Sequence, residues 1–189
     1  VGRDRVDLIA DFGYDLPARI VFLLLGVEDA DVPQLKRWSD KRMLLTMGDL
    51  GPAEQREAAA EMLDYWHYCQ ALVAERMAGP GGDDYVSQLL AARAGDDTVL
   101  TVNEITSLVF GLLLAGHETT TTMTGNALVA LLRHREAWEA ICRDPTLIPN
   151  AVEESLRYAS SVVCWRRRAR VPVTIGGVDI PAGANLLLA

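Results

Sequence analysis

Six consecutive residues near the middle of the chain, Ala115-Gly116-His117-Glu118-Thr119-Thr120, combine small side chains with an acid and two hydroxyls. Glycine has no side chain and alanine only a methyl group, so a helix here would be open on one side to a flat ligand or to dioxygen. Glu118 and Thr119 place a carboxyl group and a hydroxyl beside that opening. The alternative is that the glycine allows close helix packing while the threonines bond their own backbone. A zinc-protease site is excluded, because it needs a second histidine four residues after His117, where Thr121 stands.

A long apolar helix is predicted to carry these residues. Thr101 followed by Glu104 forms a capping-box pattern, which opens a helix running to about Arg133. Residues 108–132 are apolar almost all round, which predicts a buried position. The four threonines at 119–122 favour hydroxyl bonds to carbonyls one turn earlier, so we expect a local distortion of the helix at the small residues.

Glu154 and Arg157 form the second candidate feature, one turn apart on a helix predicted for residues 148–158. Most such pairs are solvated and stabilise a protein little. If this pair is buried, losing one partner would leave an unpaired charge inside the protein and destabilise it strongly. The sequence leaves both alternatives open.

The rest of the chain predicts a mainly α fold with a small β region at its C-terminal end, in a single domain over residues 1–189. Apolar spacing indicates further helices at residues 7–26, with a bend at Pro17, and at residues 31–43, 53–77 and 84–92. A loop is expected from Leu44 to Pro52. A strand is expected within residues 171–178, where Gly176-Gly177 makes a turn, and a final strand is expected after Gly183.

Composition limits the classes of function. The net charge of −8 disfavours binding to nucleic acid or to an anionic membrane surface. The longest strongly apolar stretch, residues 108–116, is far shorter than the roughly 20 residues that a membrane-spanning helix needs. Three cysteines fit no disulfide or metal-binding spacing, which predicts reduced thiols and a cytoplasmic protein. The first residue, Val1, and the apolar run before Ala189 suggest that the sequence is a fragment.

Taken together and in order, these motifs resemble the soluble bacterial members of the cytochrome P450 family over essentially the whole chain. The run from Ala115 to Thr120 matches the family's oxygen-binding helix, and Glu154 to Arg157 matches its E-x-x-R helix. Residues 144–154 also follow the family pattern, as do Arg167 and residues 176–183. The resemblance implies an incomplete P450 fold, a helix bundle around a long central buried helix.

The resemblance also implies an activity. The family uses haem b (iron protoporphyrin IX), dioxygen and electrons from NAD(P)H to oxidise hydrophobic small molecules. Glu118 and Thr119 would organise proton delivery while bulk water stays out. Ala115 and Gly116 would leave space above the iron. Arg167 would pair with a haem propionate. Glu154 and Arg157 would form a structural ion pair.

Further roles carried by the resemblance concern the substrate and the partners. The loop at residues 44–51 would belong to a lid over the pocket. Leu112, Val162 and Val163 would face the substrate, although ordinary core packing is the alternative for each of them. Ferredoxin and ferredoxin reductase-type proteins are the expected electron donors. The remaining arginines near Arg167 are expected to be solvated, with a nucleic-acid patch as the other interpretation: Arg166, Arg168 and Arg170.

The family's cysteine ligand to iron is missing from the pattern. Cys69 and Cys142 lie in helical patterns and are interpreted as small core residues. Cys164 precedes Trp165 without the glycine-containing loop of the family. We therefore expect this chain by itself to be inactive, because thiolate ligation drives cleavage of the O–O bond. The alternative function is a non-catalytic helical module that binds a small apolar ligand or a partner protein.

Overall fold

The structure is a computed structural model that describes residues 5–189, and over this range the chain forms eight α-helices followed by four short β-strands. The helices are α1 Leu16–Leu24, α2 Val32–Met47, α3 Pro52–Ala78, α4 Tyr85–Arg93, α5 Val102–Ala115, α6 Glu118–Arg133, α7 Arg135–Arg143 and α8 Ile148–Tyr158. The strands are β1 Trp165–Arg168, β2 Val173–Ile175, β3 Val178–Ile180 and β4 Asn185–Leu188. A π-helical turn precedes α1, and 3-10 turns precede α2 and α8: Ile9–Gly13, Asp29–Asp31 and Pro145–Leu147. The predicted mainly α fold with a small C-terminal β region is confirmed.

The chain divides into two compact units, with the boundary inside α6. The first unit ends at Thr121 and the second comprises Thr122–Ala189. The single domain expected from the sequence stays a prediction. None of the helices in the described part of the chain is both long enough and apolar enough to cross a membrane.

The first unit has its hydrophobic core where α1, α2, α3 and α5 meet. Fully buried side chains from each of these helices contribute to it, among them Phe22, Leu35, Tyr65 and Leu113. The Tyr65 ring is stacked on Trp38 and lies 4.6 Å from the centroid of Phe110. The core therefore fixes α5, the helix that leads into the candidate site.

The predicted capping box at the start of α5 is present. Thr101 Oγ1 accepts a hydrogen bond from the Glu104 backbone N–H at 3.1 Å, and Glu104 Oε2 accepts one from the Thr101 N–H at 2.8 Å. These two bonds satisfy backbone donors that have no partner within the helix. The capping pattern thus located the beginning of the helix to the residue.

The predicted distortion of the long apolar helix lies at Gly116 and His117. α5 ends at Ala115 and α6 begins at Glu118, so the helix predicted to run to about Arg133 is divided in two at the small residues where the distortion was expected. The prediction of burial holds for one face of α5, where Ile105, Val109 and Leu113 are buried. No residue described in α6 is fully buried.

Other boundaries differ from the predictions for local reasons. Pro17 lies in the first turn of α1 rather than bending a longer helix, because proline needs no hydrogen bond from its nitrogen there. α2 continues to Met47, so the predicted loop is shorter at its start. The apolar positions that suggested a helix at the N-terminal end are exposed: Leu8, Phe12, Leu16, Ile20, Leu23 and Leu24.

The second unit contains two antiparallel strand pairs. β2 pairs with β3 through a turn at Gly176-Gly177, where both glycines have positive φ, of 58° and 79°. β1, which the sequence did not predict, pairs with β4 so that Arg167 lies opposite Leu186. The predicted strand at residues 171–178 is therefore corrected to the shorter β2, because the glycine turn begins after Ile175.

Candidate functional site

The interruption between α5 and α6 is held by the hydroxyl of Thr119. Its Oγ1 donates a hydrogen bond to the carbonyl of Ala115 at 2.8 Å, and both residues are exposed. Thr121 faces another direction, since its hydroxyl donates to the Gly13 carbonyl at 3.0 Å. The bond to Gly13 fixes the start of α6 to the first unit, and Ala115 and Thr119 are left as an open surface of small side chains.

Gly116 has a packing role in this turn. A Cβ atom placed on Gly116 would lie 2.7 Å from Val21 Cγ2, closer than carbon atoms approach in proteins. The glycine therefore allows α1 to pack closely against the end of α5, which agrees with the packing alternative. Its predicted contact with a cofactor stays a prediction and would have to use its backbone.

Glu118 is half-buried and lies against the fully buried imidazole of His117. His117 Nδ1 lies 2.9 Å from the carbonyl oxygen of Leu113, and Nε2 lies 3.3 Å from Glu118 Oε1. The interaction with His117 holds the pKa of Glu118 below its usual range, although partial burial acts in the opposite direction. The acid of the predicted acid–hydroxyl pair is thus positioned by its neighbour in the sequence.

Charged groups from α2 and from the segment before α1 surround this acid. Lys36, a buried lysine, donates from Nζ to the Tyr14 carbonyl at 2.9 Å and to Asp15 Oδ1 at 2.8 Å. Burial and the negative charge of Glu118 raise the pKa of Asp40. Sequence reasoning missed these groups, because the only signal in the chain is the spacing of Lys36 and Asp40 on one side of α2.

Leu112, predicted to face the substrate, lines an apolar cavity of about 340 Å³ in the first unit. Val21, Leu24 and Gly116 contribute to the same cavity. Its substrate role stays a prediction. Within the first unit, the end of α5 and the start of α6 therefore carry five predicted site residues: Leu112, Ala115, Gly116, Glu118 and Thr119.

In the second unit, Glu154 and Arg157 form a bidentate ion pair on α8. Arg157 Nη2 lies 2.6 Å from Glu154 Oε1, and Arg157 Nε lies 2.7 Å from Oε2. The side chains are 70% exposed for Arg157 and 60% for Glu154, so of the two alternatives this chain has the solvated pair. The hydrogen bond from Arg157 lowers the pKa of Glu154.

Glu154 also borders an apolar cavity of about 390 Å³ between α6, α7 and α8. His134, Ser155 and Tyr158 are among its lining residues, and the His134 and Tyr158 rings are in edge contact. The sequence did not predict this cavity, because it forms only when three separate helices pack.

The remaining predicted residues of the second unit lie at or near its surface. Arg167 is exposed on β1, where its guanidinium carbon lies 5.9 Å from the centroid of the Trp165 ring. Val162 is half-buried and Val163 is exposed. The roles predicted for all three stay predictions.

The cysteines differ from one another in their surroundings. Cys69 is buried in α3 as predicted, and burial raises the pKa of its thiol to about 12. Cys142 is exposed on α7, so its interpretation as a core residue was wrong, because the core ends with α5. Cys164 is half-buried just before β1. In the described part of the chain, no three His, Cys, Asp or Glu side chains form a metal-binding group.

Comparison with known proteins gives a consistent family match. The family model described as Cytochrome P450 matches residues 73–146. Cytochrome P450 CYP107DY1 of Priestia megaterium is 35% identical over 186 residues, which are 98% of this chain and 44% of that protein. The 6-deoxyerythronolide B hydroxylase of Saccharopolyspora erythraea is 37% identical over 185 residues, 97% of this chain and 44% of that protein.

Solved structures give the same result. The structure of cytochrome P450 CREJ in complex with (4-ethylphenyl) dihydrogen phosphate is 44% identical, with a TM-score of 0.88 over 97% of this chain and 45% of that one. Full-length CYP116B46 from Tepidiphilus thermophilus is 32% identical, with a TM-score of 0.86 over 96% of this chain and 24% of that one. The chain thus spans less than half the length of these proteins.

Proposed function

Because this chain belongs to the cytochrome P450 family, we propose that the whole protein is a haem-dependent monooxygenase. It would insert one oxygen atom of O2 into a hydrophobic small molecule, using electrons that come from NAD(P)H. The names of two relatives support hydroxylation, the 6-deoxyerythronolide B hydroxylase and the erythromycin C-12 hydroxylase of Saccharopolyspora erythraea. The observation that carries the proposal is the interrupted helix at Ala115–Thr119.

The residues at this interruption fit one face of a haem group. Ala115 and Thr119 are exposed and small, and the Thr119 hydroxyl is held against the Ala115 carbonyl rather than projecting outward. A flat macrocycle can approach such a surface without a steric clash. Gly116 contributes indirectly, because the absence of a side chain lets Val21 pack against the end of α5.

Haem iron, when bound, supplies the activation of dioxygen that no amino-acid side chain can provide. The chain's own residues would control protons and water. Thr119 Oγ1 would hold a proton beside the reacting oxygen, with the Ala115 carbonyl fixing the direction of the hydroxyl. Glu118, half-buried and next in the sequence, would resupply that proton while its surroundings exclude bulk water.

We infer that Cys69 does not supply the thiolate ligand, because its side chain is fully buried in the apolar core of the first unit. Cys142 and Cys164 lie in the second unit without the glycine-containing loop of the family. We therefore propose that residues 1–189 form only the oxygen side of the haem site and do not catalyse the reaction by themselves.

Further assignments complete the proposal. Arg167 would pair with a haem propionate through its exposed guanidinium on β1, of which Nη1 donates to the Arg166 carbonyl at 2.9 Å. Leu112 would contact substrate from its apolar cavity, and Val162 and Val163 would do so from the second unit. Ferredoxin and its reductase would deliver the electrons. The cytoplasmic location stays a prediction that rests on the unpaired cysteines.

Two measurements on the whole protein test this function. The reduced protein under carbon monoxide should show the red-shifted absorbance band of a thiolate-ligated haem. Thr119→Ala should then lower the amount of product per NAD(P)H several-fold and release hydrogen peroxide instead, because the proton beside the reacting oxygen is lost. Product and peroxide are both quantified against NAD(P)H consumption.

Two control variants separate the role of the hydroxyl from general damage. Thr119→Ser keeps the hydroxyl and should keep most of the coupling. Thr121→Ala removes a hydroxyl that bonds Gly13 instead, so it should lower stability without releasing peroxide. Absence of the haem band would favour the non-catalytic module, and unchanged coupling in Thr119→Ala would remove Thr119 from the mechanism.

A further inference from the structure

His117 is a fully buried side chain with an unsatisfied ring nitrogen. The residue is 1% exposed, and Phe22 covers it with an edge contact at 5.4 Å between ring centroids. Nδ1 lies 2.9 Å from the Leu113 carbonyl oxygen. Nε2 is buried and makes no hydrogen bond within the described residues, although Glu118 Oε1 lies only 3.3 Å away. A buried polar atom without a hydrogen bond destabilises the fold, so its presence needs an explanation.

The contact with Leu113 determines where the ring carries its hydrogen. A carbonyl oxygen can only accept, so Nδ1 must be the donor in this contact. In the neutral ring Nε2 then has a lone pair and no hydrogen. Nε2 can therefore attract a carboxylate only if a further proton lies between the two groups.

Glu118 brings a carboxylate oxygen close to Nε2. A lone pair on Nε2 and a carboxylate oxygen at 3.3 Å repel each other if neither carries a proton. One proton between them makes the contact attractive, either as imidazolium with carboxylate or as imidazole with carboxylic acid. The 3.3 Å distance is therefore compatible with one proton held by the two groups together.

We propose that His117 is a positioning residue for Glu118, and that the two side chains share one proton between Nε2 and Oε1 as a proton store beside Thr119. The catalytic use of this store rests on the proposed monooxygenase function. The shared proton itself does not, since it follows from the contacts of His117 within the first unit.

The charges around the pair are compatible with a single stored proton. α2 contributes Lys36 and Asp40, and the segment before α1 contributes Tyr14 and Asp15. Asp15 is paired with Lys36 at 2.8 Å, and the ammonium lies 3.1 Å from the centroid of the Tyr14 ring. His117 lowers the pKa of Glu118, which favours an ionised carboxylate beside Nε2.

Delivery of the proton balances within the pair. Glu118 Oε1 accepts the proton from Nε2 and passes a proton toward the Thr119 hydroxyl. The ring becomes neutral and keeps its hydrogen on Nδ1, bonded to Leu113. A proton from solvent then returns to Nε2 and restores the starting state. The exposed carboxyl of Asp40, on α2, lies close enough to interact with both Glu118 and His117.

The test uses NMR titration of the full 189-residue chain, labelled with ¹³C in glutamate and ¹⁵N in histidine. The His117 signals should show the hydrogen on Nδ1, and the Nε2 shift should follow the titration of the Glu118 carboxyl. His117→Phe should raise the pKa of Glu118, because the lowering interaction is lost. His134→Phe, a change at an exposed histidine of the second unit, should leave Glu118 unchanged.

Two further variants keep the result decisive. His117→Asn keeps a donor near Leu113 but has no basic nitrogen, so it should raise the Glu118 pKa even where the fold is intact by circular dichroism. Glu118→Gln should abolish the pH response of Nε2 that follows the carboxyl. A hydrogen on Nε2 at all pH values, or an unchanged Glu118 titration in a folded His117→Asn variant, overturns the proposal. Loss of the haem band would overturn only the proposed function, since this titration needs no haem.

Discussion

The two compact units differ sharply in how much they bury. In the first unit α1, α2, α3 and α5 surround a continuous apolar core that includes fully buried Phe22, Tyr65 and Leu113. In the described residues of the second unit, from Thr122 onward, only Ser155 is buried. The acid–hydroxyl pair lies at the edge of the buried unit, whereas the E-x-x-R pair lies in the exposed one.

The difference in burial indicates which unit is stabilised by its own packing. The helices of the second unit are amphipathic, yet apolar residues such as Val152, Leu156 and Tyr158 remain largely exposed. Burial of one leucine or phenylalanine side chain stabilises a fold by about 1.5–3 kcal/mol. A short helix that forgoes this contribution is marginal in water. We therefore expect the first unit to be the more stable one.

The largest difference in stability should appear when leucine is replaced by alanine once in each unit, in two separate variants. Leu113→Ala removes a side chain with 0% exposure and should destabilise the chain by about 2–5 kcal/mol, because it leaves a cavity in the core. Leu132→Ala changes a residue that is 50% exposed and should cost less than about 1 kcal/mol. Urea unfolding followed by circular dichroism measures both.

Hydrogen exchange on the unmodified chain provides the matching control. Amides of α3 and α5 should exchange far more slowly than those of α8 and the strands. Equal protection in both units, or equal costs for the two leucine variants, would contradict the comparison.

The second largest difference in stability is expected between variants that break one ion pair in each unit. Arg76 Nε donates to Asp84 Oδ2 at 3.0 Å, with side chains that are 19% and 13% exposed, and its Nη2 donates to the Gly26 carbonyl at 2.6 Å. Arg76→Gln leaves both acceptors partly buried without this partner, so it should cost about 1–3 kcal/mol. Thermal unfolding of this variant is compared with that of Arg157→Gln, for which we expect no measurable change.

The pH dependence of the Arg76 variant has a defined sign. Burial raises the pKa of Asp84, but bonds from the Ser87 backbone and hydroxyl and from Arg76 lower it further than burial raises it. A lowered pKa stabilises the fold above the carboxyl's unfolded pKa and loses that contribution as the pH falls through the folded value. Arg76→Gln should therefore reduce the difference in stability between neutral and acidic pH. An unchanged acid dependence would mean that Ser87 alone holds the carboxylate.

Much of the fold could be predicted because its signals are local. The capping box at Thr101 depends on residues three apart, and the glycine turn after Ile175 on two adjacent ones. α1 was harder, because both of its sides are apolar. The spacing of Leu16, Ile20 and Leu23 indicated a helix but not that Ala18 and Phe22 would be the buried residues, since packing partners decide which side is covered.

The candidate site shows the same division between local and distant causes. The bond from Thr119 to Ala115 follows from a threonine placed four residues after a carbonyl, so the distortion could be predicted. The contact of Gly116 with Val21 and the charges of α2 around Glu118 depend on tertiary packing. The spacing of Lys36 and Asp40 places both on one side of α2, but it does not indicate which group they face.

The smallest effect concerns the solvated pair on α8. Arg157→Gln removes the hydrogen bonds that lower the pKa of Glu154, so this pKa should rise toward its ordinary value in a carboxyl ¹³C titration. Arg135→Gln breaks a different exposed pair, with Glu139, and should leave Glu154 unchanged. A lowered pKa stabilises the fold above the unfolded pKa of the carboxyl, so this contribution is present at neutral pH. Because both side chains are solvated, we expect it to be too small to move the urea midpoint at neutral pH in either variant. If Arg157→Gln instead unfolds the second unit, solvent exposure is a poor guide to the role of this pair.

The same variant in the whole protein then decides the structural role predicted from the family: reduced haem content supports it, and full haem content leaves the pair a surface feature.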